Sequence, residues 1–247
     1  MAAAFVSWLD VPAGRRWLDV GCGTGALTAS VLAGAGPAEI TGVDPSEGFL
    51  ATARARVTDP RASFRVGDAR SLPLPDGAFD VVVSGLAINF VPDPGRAAAE
   101  MARVSGPGGV VAAYVWDYAD GMAMMRHFWD AAAAADPEGA GLDEGSRFPL
   151  CRPEPLDQLW SGAGLTDVSV RAIEIDTVFA GFADFWDPFL GGQGAAPAYV
   201  ASLSGGKRDA IRELLRTRLP VEPDGSIRLT ARAWAVRGSV PEAVRLS

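Results

Sequence analysis

Short apolar runs alternate with longer amphipathic stretches through the first half of the chain. The runs are rich in Val, Ile and aromatic residues, and the Val run near residue 82 is continuous, which is typical of a strand buried on both faces. The stretches between them have helical periodicity. Because strands that alternate with helices form right-handed βαβ units, this order indicates a parallel sheet. The predicted strands are 15–21, 39–44, 62–68, 79–85 and 109–119, and the predicted helices are 26–34, 45–57 and 93–105.

The second half of the chain is less regular. A segment at 182–200 mixes aromatic residues with Gly and Pro, and no repeat or low-complexity linker is present. We therefore expect one domain over 1–247, with a core at about 15–117 and a cap insertion formed by 118–150 and 181–223. Helices are predicted at 121–135, 154–164 and about 205–219, and strands at 165–175 and 226–238.

Composition narrows the classes of function. The net charge is −8 and no cluster of Lys and Arg is present, which makes nucleic acid an unexpected partner. The two cysteines, Cys22 and Cys151, are far apart, so neither a disulfide framework nor a metal site is expected. Asp10 interrupts the N-terminal apolar segment, and the longest apolar run is too short to span a bilayer. We expect a soluble cytoplasmic protein, not inserted in membranes, that is a monomer or a homodimer.

The octet DVGCGTGA, residues 19–26, fits two cofactor templates. One is the dinucleotide fingerprint G-x-G-x-x-G/A, with Asp44 at the spacing of a ribose-binding acid. The other is Asp-x-Gly-x-Gly-x-Gly, which begins at Asp19. A carboxylate ahead of the loop would repel a pyrophosphate, whereas it can help to bind the ammonium group of S-adenosylmethionine. Asp19 therefore favours S-adenosylmethionine, and an NAD(P)-dependent oxidoreductase is the alternative.

The octet belongs to the segment WLDVGCGTGALT, and three further segments extend this pattern in order and spacing: GVDPSEGFL, FRVGDARSLPLPDGAFDVVVSG and ARVSGPGGVVAAYVW. Together they resemble the class I, Rossmann-like S-adenosylmethionine-dependent methyltransferases, and most closely the small-molecule group that includes quinone-biosynthesis enzymes. The resemblance covers roughly residues 15–117, and LTARAWAVRG suits the last, antiparallel strand of that family. It implies a doubly wound α/β fold with a mostly parallel, seven-stranded sheet and a helical cap insertion.

The resemblance also implies roles for individual residues. The glycine loop would pass under the methionyl group, and Asp44 would accept hydrogen bonds from the ribose hydroxyls. Phe49 would pack near the adenine, and Asp68 would bind its amino group. The residues that leave the fourth strand would border the sulfonium. The implied cofactor-binding residues are Asp19, Gly21, Cys22, Gly23, Gly25, Asp44, Pro45, Phe49, Gly67, Asp68, Ala69, Ser84, Gly85 and Leu86.

Methyl transfer depends mainly on alignment of the acceptor, the methyl group and the sulfur, so no catalytic triad is expected and the catalytic residue stays unassigned. Asn89 stands where many relatives carry a histidine, and it could orient an acceptor or simply hold the turn. His127 is the only histidine, but it points away from the apolar face of its predicted helix. Arg126 lies beside that face and could meet an acidic substrate or remain a solvated cation.

Aromatic residues concentrate in the segments expected to cap the sheet. We expect them to form a hydrophobic chamber for a small apolar or aromatic acceptor, methylated at oxygen or carbon; the alternative is that they fill the core of the insertion. A non-catalytic protein that binds S-adenosylmethionine is a further alternative. The candidate substrate-pocket residues are Phe5, Trp8, Trp116, Trp129, Phe189 and Gln193.

Overall fold

A computed structural model describes residues 1–136, 141–191 and 194–242. Within these ranges seven strands form one sheet: β1 (Arg16–Val20), β2 (Glu39–Asp44), β3 (Ala62–Val66), β4 (Phe79–Gly85), β5 (Ser105–Trp116), β6 (Thr166–Phe179) and β7 (Ile227–Ser239). Their order across the sheet is β3-β2-β1-β4-β5-β7-β6. The chain therefore winds outward in both directions from β1 and β4, as expected of a doubly wound fold.

The first five strands pair in parallel, and the sheet ends in an antiparallel edge. The direction of β7 follows from its hydrogen bonds to the β5 region. Val240 donates to the Gly109 carbonyl at 2.9 Å, whereas Asp117, eight residues further along, donates to the Arg232 carbonyl at 3.0 Å. The residue numbers increase along β5 while those of the paired residues near β7 decrease, so these two strands run in opposite directions. The predicted mostly parallel, seven-stranded sheet is confirmed.

The helices begin where the sequence supplies caps. The Asp93 side chain accepts a hydrogen bond from the Arg96 amide at 2.9 Å, and Pro94 follows as the first helical residue. Helix α1 has no side-chain cap, and α9 includes Pro197, so sequence signals for both were lacking. The helices are α1 (Ala2–Leu9), α2 (Ala26–Gly34), α3 (Glu47–Arg56), α4 (Pro94–Val104), α5 (Ala123–Ala135), α6 (Glu144–Arg147), α7 (Pro153–Gly162), α8 (Phe182–Trp186), α9 (Ala195–Ser202) and α10 (Gly205–Arg218). Among the described residues, none of the helices combines the length and apolar character needed to cross a membrane.

The chain forms two compact units. The first comprises Met1–Val115, Pro153–Ile173 and Trp234–Ser247. Its core is built from the buried faces of β1, β2, β4 and β5, and the Trp160 indole donates to the Val111 carbonyl at 3.0 Å. The strand β4 is buried along its middle, as its continuous Val run predicts.

The second unit comprises Trp116–Arg152 and Glu174–Ala233. An aromatic cluster from α5, α8 and α9 forms its core, and the Arg232 guanidinium pairs at 2.7 Å with the Asp117 carboxylate, which is 2% exposed. The segments 118–150 and 181–223 fall within this unit. Their role as a cap over an acceptor stays a prediction.

Candidate functional site

A cavity of about 590 Å³ lies in the first unit, at the carboxyl ends of the parallel strands. This is the edge at which open α/β sheets bind ligands, and the volume suits a small molecule. The structure brings together these residues that the sequence predicted for the cofactor: Gly21, Cys22, Gly23, Asp44, Pro45, Phe49, Gly67, Asp68, Ala69, Gly85 and Leu86. The predicted residues Asp19, Gly25 and Ser84 do not line this cavity, since Asp19 and Ser84 lie buried within their strands and Gly25 begins α2.

Several residues that line the cavity were missed from the sequence: Ser46, Arg70, Ala87, Phe90, Val91 and Pro92. Ser46 and Arg70 each follow a predicted cavity residue by one or two positions, so proximity along the chain could have indicated them. Phe90 is 63% exposed in the turn that follows β4, and no motif in the sequence indicated that it lines the cavity.

The glycine loop closes over the end of β2. The amides of Gly21 and Cys22 both donate to the Val43 carbonyl, at 2.7 and 3.1 Å. Gly21 has a φ of +73°, and a Cβ on this residue would lie 2.4 Å from the Ala87 Cβ. Both the backbone conformation and the close approach of the chain therefore require glycine here. The Cys22 side chain is buried, and burial raises the pKa of its thiol, which stays neutral.

Asp44 stands at the end of β2 with its carboxylate fixed by two backbone amides. One oxygen accepts from Gly23 at 3.0 Å and the other from Ser46 at 2.9 Å. A carboxylate oxygen has two lone-pair sites, so each oxygen retains capacity for another donor. The residue lines the cavity although it is only 7% exposed. It is therefore a rigidly held acceptor that can bind the two hydroxyls of a ribose.

Asp19, on β1, is completely buried beneath the loop. One carboxylate oxygen accepts a 2.7 Å hydrogen bond from the Thr28 hydroxyl, whereas Oδ1 has no partner among the described residues. Burial raises the pKa of Asp19 to about 7, with the Thr28 hydrogen bonds opposing the shift and the nearby Asp44 charge adding to it. An unpartnered buried carboxylate oxygen is costly unless a donor reaches it. The ammonium group of S-adenosylmethionine is such a donor, so this residue fits the cofactor.

Asp68 follows β3 and is held by Arg70. The Arg70 amide and guanidinium bind both carboxylate oxygens, with the shortest contact at 2.6 Å. The hydrogen bonds from Arg70 lower the pKa of Asp68 to about 2, so the group is ionised at neutral pH. The carboxylate is half-exposed at the cavity wall. The contact of Asp68 with an adenine amino group stays a prediction. In that contact the Asp68 carboxylate would bind the adenine and Arg70 at the same time.

The predicted substrate-pocket residues fall in two places. In the first unit, Phe5 and Trp8 of α1 lie with ring centroids 6.1 Å apart, and Phe5 is fully buried. In the second unit, Trp129 and Phe189 are 3% and 2% exposed within the aromatic core. Trp116, at the end of β5, is partly buried.

The surroundings of Trp129 and Phe189 are those of a packed core. The Phe189 ring stacks on Phe128 at 4.4 Å, and the Trp129 indole donates to the buried Glu144 carboxylate. Burial of Glu144 raises its pKa, and the indole hydrogen bond opposes that shift. This packing favours the alternative that these aromatics fill the insertion, and their contact with an acceptor stays a prediction. Gln193 lies outside the described residues.

The three candidates for a catalytic role are placed differently. Asn89 lies in the turn after β4, with a buried side-chain oxygen that has no partner in the described part of the chain. Arg126 forms a bidentate ion pair with Asp143, so the Arg126 charge is already neutralised by a partner within the second unit. His127 is half-buried on α5. A catalytic role for any of them stays a prediction.

The model of one protein family, described as "Methyltransferase domain", matches residues 18–113. The 2-methyl-6-phytyl-1,4-hydroquinone methyltransferase of Synechocystis is 31% identical over 198 residues, which cover 77% of this chain and 60% of that protein. The demethylmenaquinone methyltransferase of Staphylococcus aureus is 40% identical over 105 residues, 42% of this chain and 44% of that protein. The matched region thus spans less than two thirds of the length of either relative.

Among solved structures, the chain is similar to a putative methyltransferase from Bacillus halodurans. The TM-score is 0.65 at 16% identity, and the match covers 97% of this chain and 98% of that one. At this level of identity the likeness concerns the fold, over nearly the full length of both proteins.

Proposed function

Because the chain belongs to the class I, Rossmann-like S-adenosylmethionine-dependent methyltransferases, we propose that it transfers a methyl group to a small aromatic acceptor of the hydroquinone type. The family and its cofactor, S-adenosylmethionine, are confirmed as the sequence predicted. The observation that carries the proposal is the cavity at the strand ends, with the amide-fixed carboxylate of Asp44 and the half-satisfied carboxylate of Asp19 beside the same glycine loop.

S-adenosylmethionine supplies an activated methyl group on a sulfonium, and the chain needs only to hold and orient it. Asp44 accepts hydrogen bonds from the ribose, and Asp19 receives the ammonium group. The loop backbone at Gly21 lets the methionyl group lie against the chain without a side chain in the way. Leu86, with a φ of +60°, projects from the end of β4 into the cavity wall beside the expected sulfonium. A non-glycine residue in this conformation is a local strain of the kind found at functional sites.

The acceptor class rests on two relatives. Their names give 2-methyl-6-phytyl-1,4-hydroquinone and demethylmenaquinone as substrates. A hydroquinone can be methylated at a ring oxygen or at an electron-rich ring carbon, in agreement with the expectation from the sequence. Alignment in line with the sulfur is the main source of rate for either reaction.

Two measurements test the proposal. Calorimetric titration of the full chain with S-adenosylhomocysteine and, separately, with NADH should give binding of the first and none of the second. Incubation with S-adenosylmethionine and a panel of hydroquinones, phenols and amines should then give a methylated hydroquinone, detected by mass spectrometry, with one S-adenosylhomocysteine per product.

The outcomes separate the alternatives. Binding of NADH without S-adenosylhomocysteine would refute the assignment in favour of the oxidoreductase. Binding of S-adenosylhomocysteine without a product from any acceptor would favour the non-catalytic binder, and a product from amines alone would replace the acceptor class.

A further inference from the structure

Tyr114, near the end of β5, carries a buried phenol that the cofactor residues described above do not include. The residue is 4% exposed, and its ring packs on Phe5 with centroids 4.7 Å apart. Its hydroxyl forms no hydrogen bond with the residues that the structure describes. The hydroxyl oxygen itself is not completely enclosed by protein atoms, so a ligand can reach it and satisfy it.

Gly85 makes room for this phenol. The two residues pair directly between β4 and β5, and a Cβ on Gly85 would lie 2.9 Å from the Tyr114 hydroxyl oxygen. Gly85 itself lines the cofactor cavity. Because β4 has no side chain at this point, the Tyr114 hydroxyl lies beside the Gly85 backbone, and that backbone forms part of the cavity wall.

The sheet register places this hydroxyl on the same face as Asp19. Asp19 pairs with Val83, and Gly85, two residues further along the strand, pairs with Tyr114. Residues that pair across a sheet, and residues two apart along a strand, point to one face. Helix α2 covers that face: Thr28 donates to Asp19, and Leu27 lies 3.0 Å from a Cβ on Gly85. Two polar groups that have no hydrogen-bond partner among the described residues, Asp19 Oδ1 and the Tyr114 hydroxyl, thus share one face and one end of the sheet.

We propose that the Tyr114 hydroxyl binds the amino-acid end of the cofactor, beside the ammonium group that Asp19 receives. This inference rests on the proposed function. Asp19 can bind only the ammonium group of the cofactor's amino-acid end. The carboxylate group at that end of the cofactor requires a hydrogen-bond donor of its own. Tyr114 supplies this donor, since burial and the negative charge of Asp19 raise its pKa and keep the phenol protonated.

The test compares two ligands of the full chain by calorimetry. S-adenosylhomocysteine has the amino-acid end, and 5′-methylthioadenosine shares its nucleoside but lacks that end. Tyr114→Phe should weaken the binding of S-adenosylhomocysteine about tenfold or more, as expected for loss of a hydrogen bond to a charged group. The affinity for 5′-methylthioadenosine should be unchanged. In turnover, the KM for S-adenosylmethionine should rise with little change in kcat.

Tyr118→Phe is the matched control, because Tyr118 packs against Phe148 in the second unit and has no part in the proposed site. It should leave both affinities unchanged. Gly85→Ala is a second variant, since its methyl group would displace the Tyr114 hydroxyl. Gly85→Ala should weaken the binding of S-adenosylhomocysteine more than the binding of 5′-methylthioadenosine.

The outcomes are distinct. An unchanged affinity of Tyr114→Phe for S-adenosylhomocysteine would overturn the inference, and so would an equal loss for both ligands, which indicates a general disturbance of the cavity. A wild-type chain that binds neither ligand would overturn the proposed function itself, and this inference with it.

Discussion

Asp19 couples the stability of the protein to pH in an unusual direction. Burial raises its pKa to about 7 from the ordinary value of 3.8, so the folded state holds a proton that the unfolded state releases above pH 4. Stability should therefore fall as the pH rises from about 4 to 7. A difference of roughly three pKa units corresponds to about 4 kcal/mol at pH 8, an upper bound for a carboxyl group that is fully buried.

Asp19→Asn removes the ionisable group and keeps an oxygen for the Thr28 hydroxyl. In the absence of cofactor we expect the variant to be more stable than the wild type at pH 8, by up to about 4 kcal/mol, and this gain should largely disappear near pH 4. Urea unfolding of both proteins at a series of pH values measures the difference. Asp80→Asn is a control of opposite sign, because the Arg16 guanidinium lowers the pKa of Asp80 and its ionised form stabilises the fold.

The cofactor should reverse this preference. An ammonium group beside Asp19 favours the ionised carboxylate, so binding near pH 6 should release a proton. Calorimetric titration with S-adenosylhomocysteine in buffers of different ionisation enthalpy measures that release, and Asp19→Asn should abolish it while binding more weakly. A variant equally destabilised at pH 4 and pH 8, or wild-type binding without proton release, would refute the reasoning.

Three further substitutions probe the fold and the site. Asp44→Ala should weaken the binding free energy of S-adenosylhomocysteine, measured by calorimetry, by about 1.5–3 kcal/mol, and an unchanged affinity would contradict the ribose assignment. Gly21→Ala should destabilise the protein by about 1–3 kcal/mol in urea unfolding, because of its positive φ and its contact with Ala87; Ala87→Gly should restore part of the loss, and no rescue would remove the steric explanation. Asp117→Ala removes the buried carboxylate that pairs with Arg232 at 2.7 Å, and the more exposed Glu174 carboxylate, at 3.7 Å from Arg232, does not replace it. The change should lower stability by about 3 kcal/mol, whereas an effect below about 0.5 kcal/mol would show that the Asp117–Arg232 ion pair is not stabilising.

Local signals in the sequence were sufficient for the alternating strands and helices of the first half of the fold, although not for α1. The predicted strand at 39–44 and helix at 26–34 agree with β2 and α2 to the residue. Gly25 and Gly34 mark the two ends of the helix, and the strand is a short, largely apolar run that ends at Asp44, before Pro45. The cavity residues from Gly21 to Leu86 were implied by the family resemblance of the same segments, and the structure places them at the carboxyl ends of the parallel strands.

What the sequence could not supply depends on pairing between distant segments. The Arg70 side chain, which binds Asp68, and the Tyr114 ring, which lies over Gly85, are set by rotamer and register rather than by a motif. The aromatic residues of the insertion have a composition that suits a pocket and a core equally. Only their packing, such as the stack of Phe128 on Phe189, distinguishes the two.

The pairing of Gly85 with Tyr114 also constrains how this protein can diverge. The phenol occupies the volume that a side chain on β4 would need, so side chains at positions 85 and 114 cannot both be present without a clash. A descendant that acquires a side chain at position 85 must lose the ring at position 114, or lose the neighbouring binding site. In an alignment of close relatives, these two positions should therefore change together.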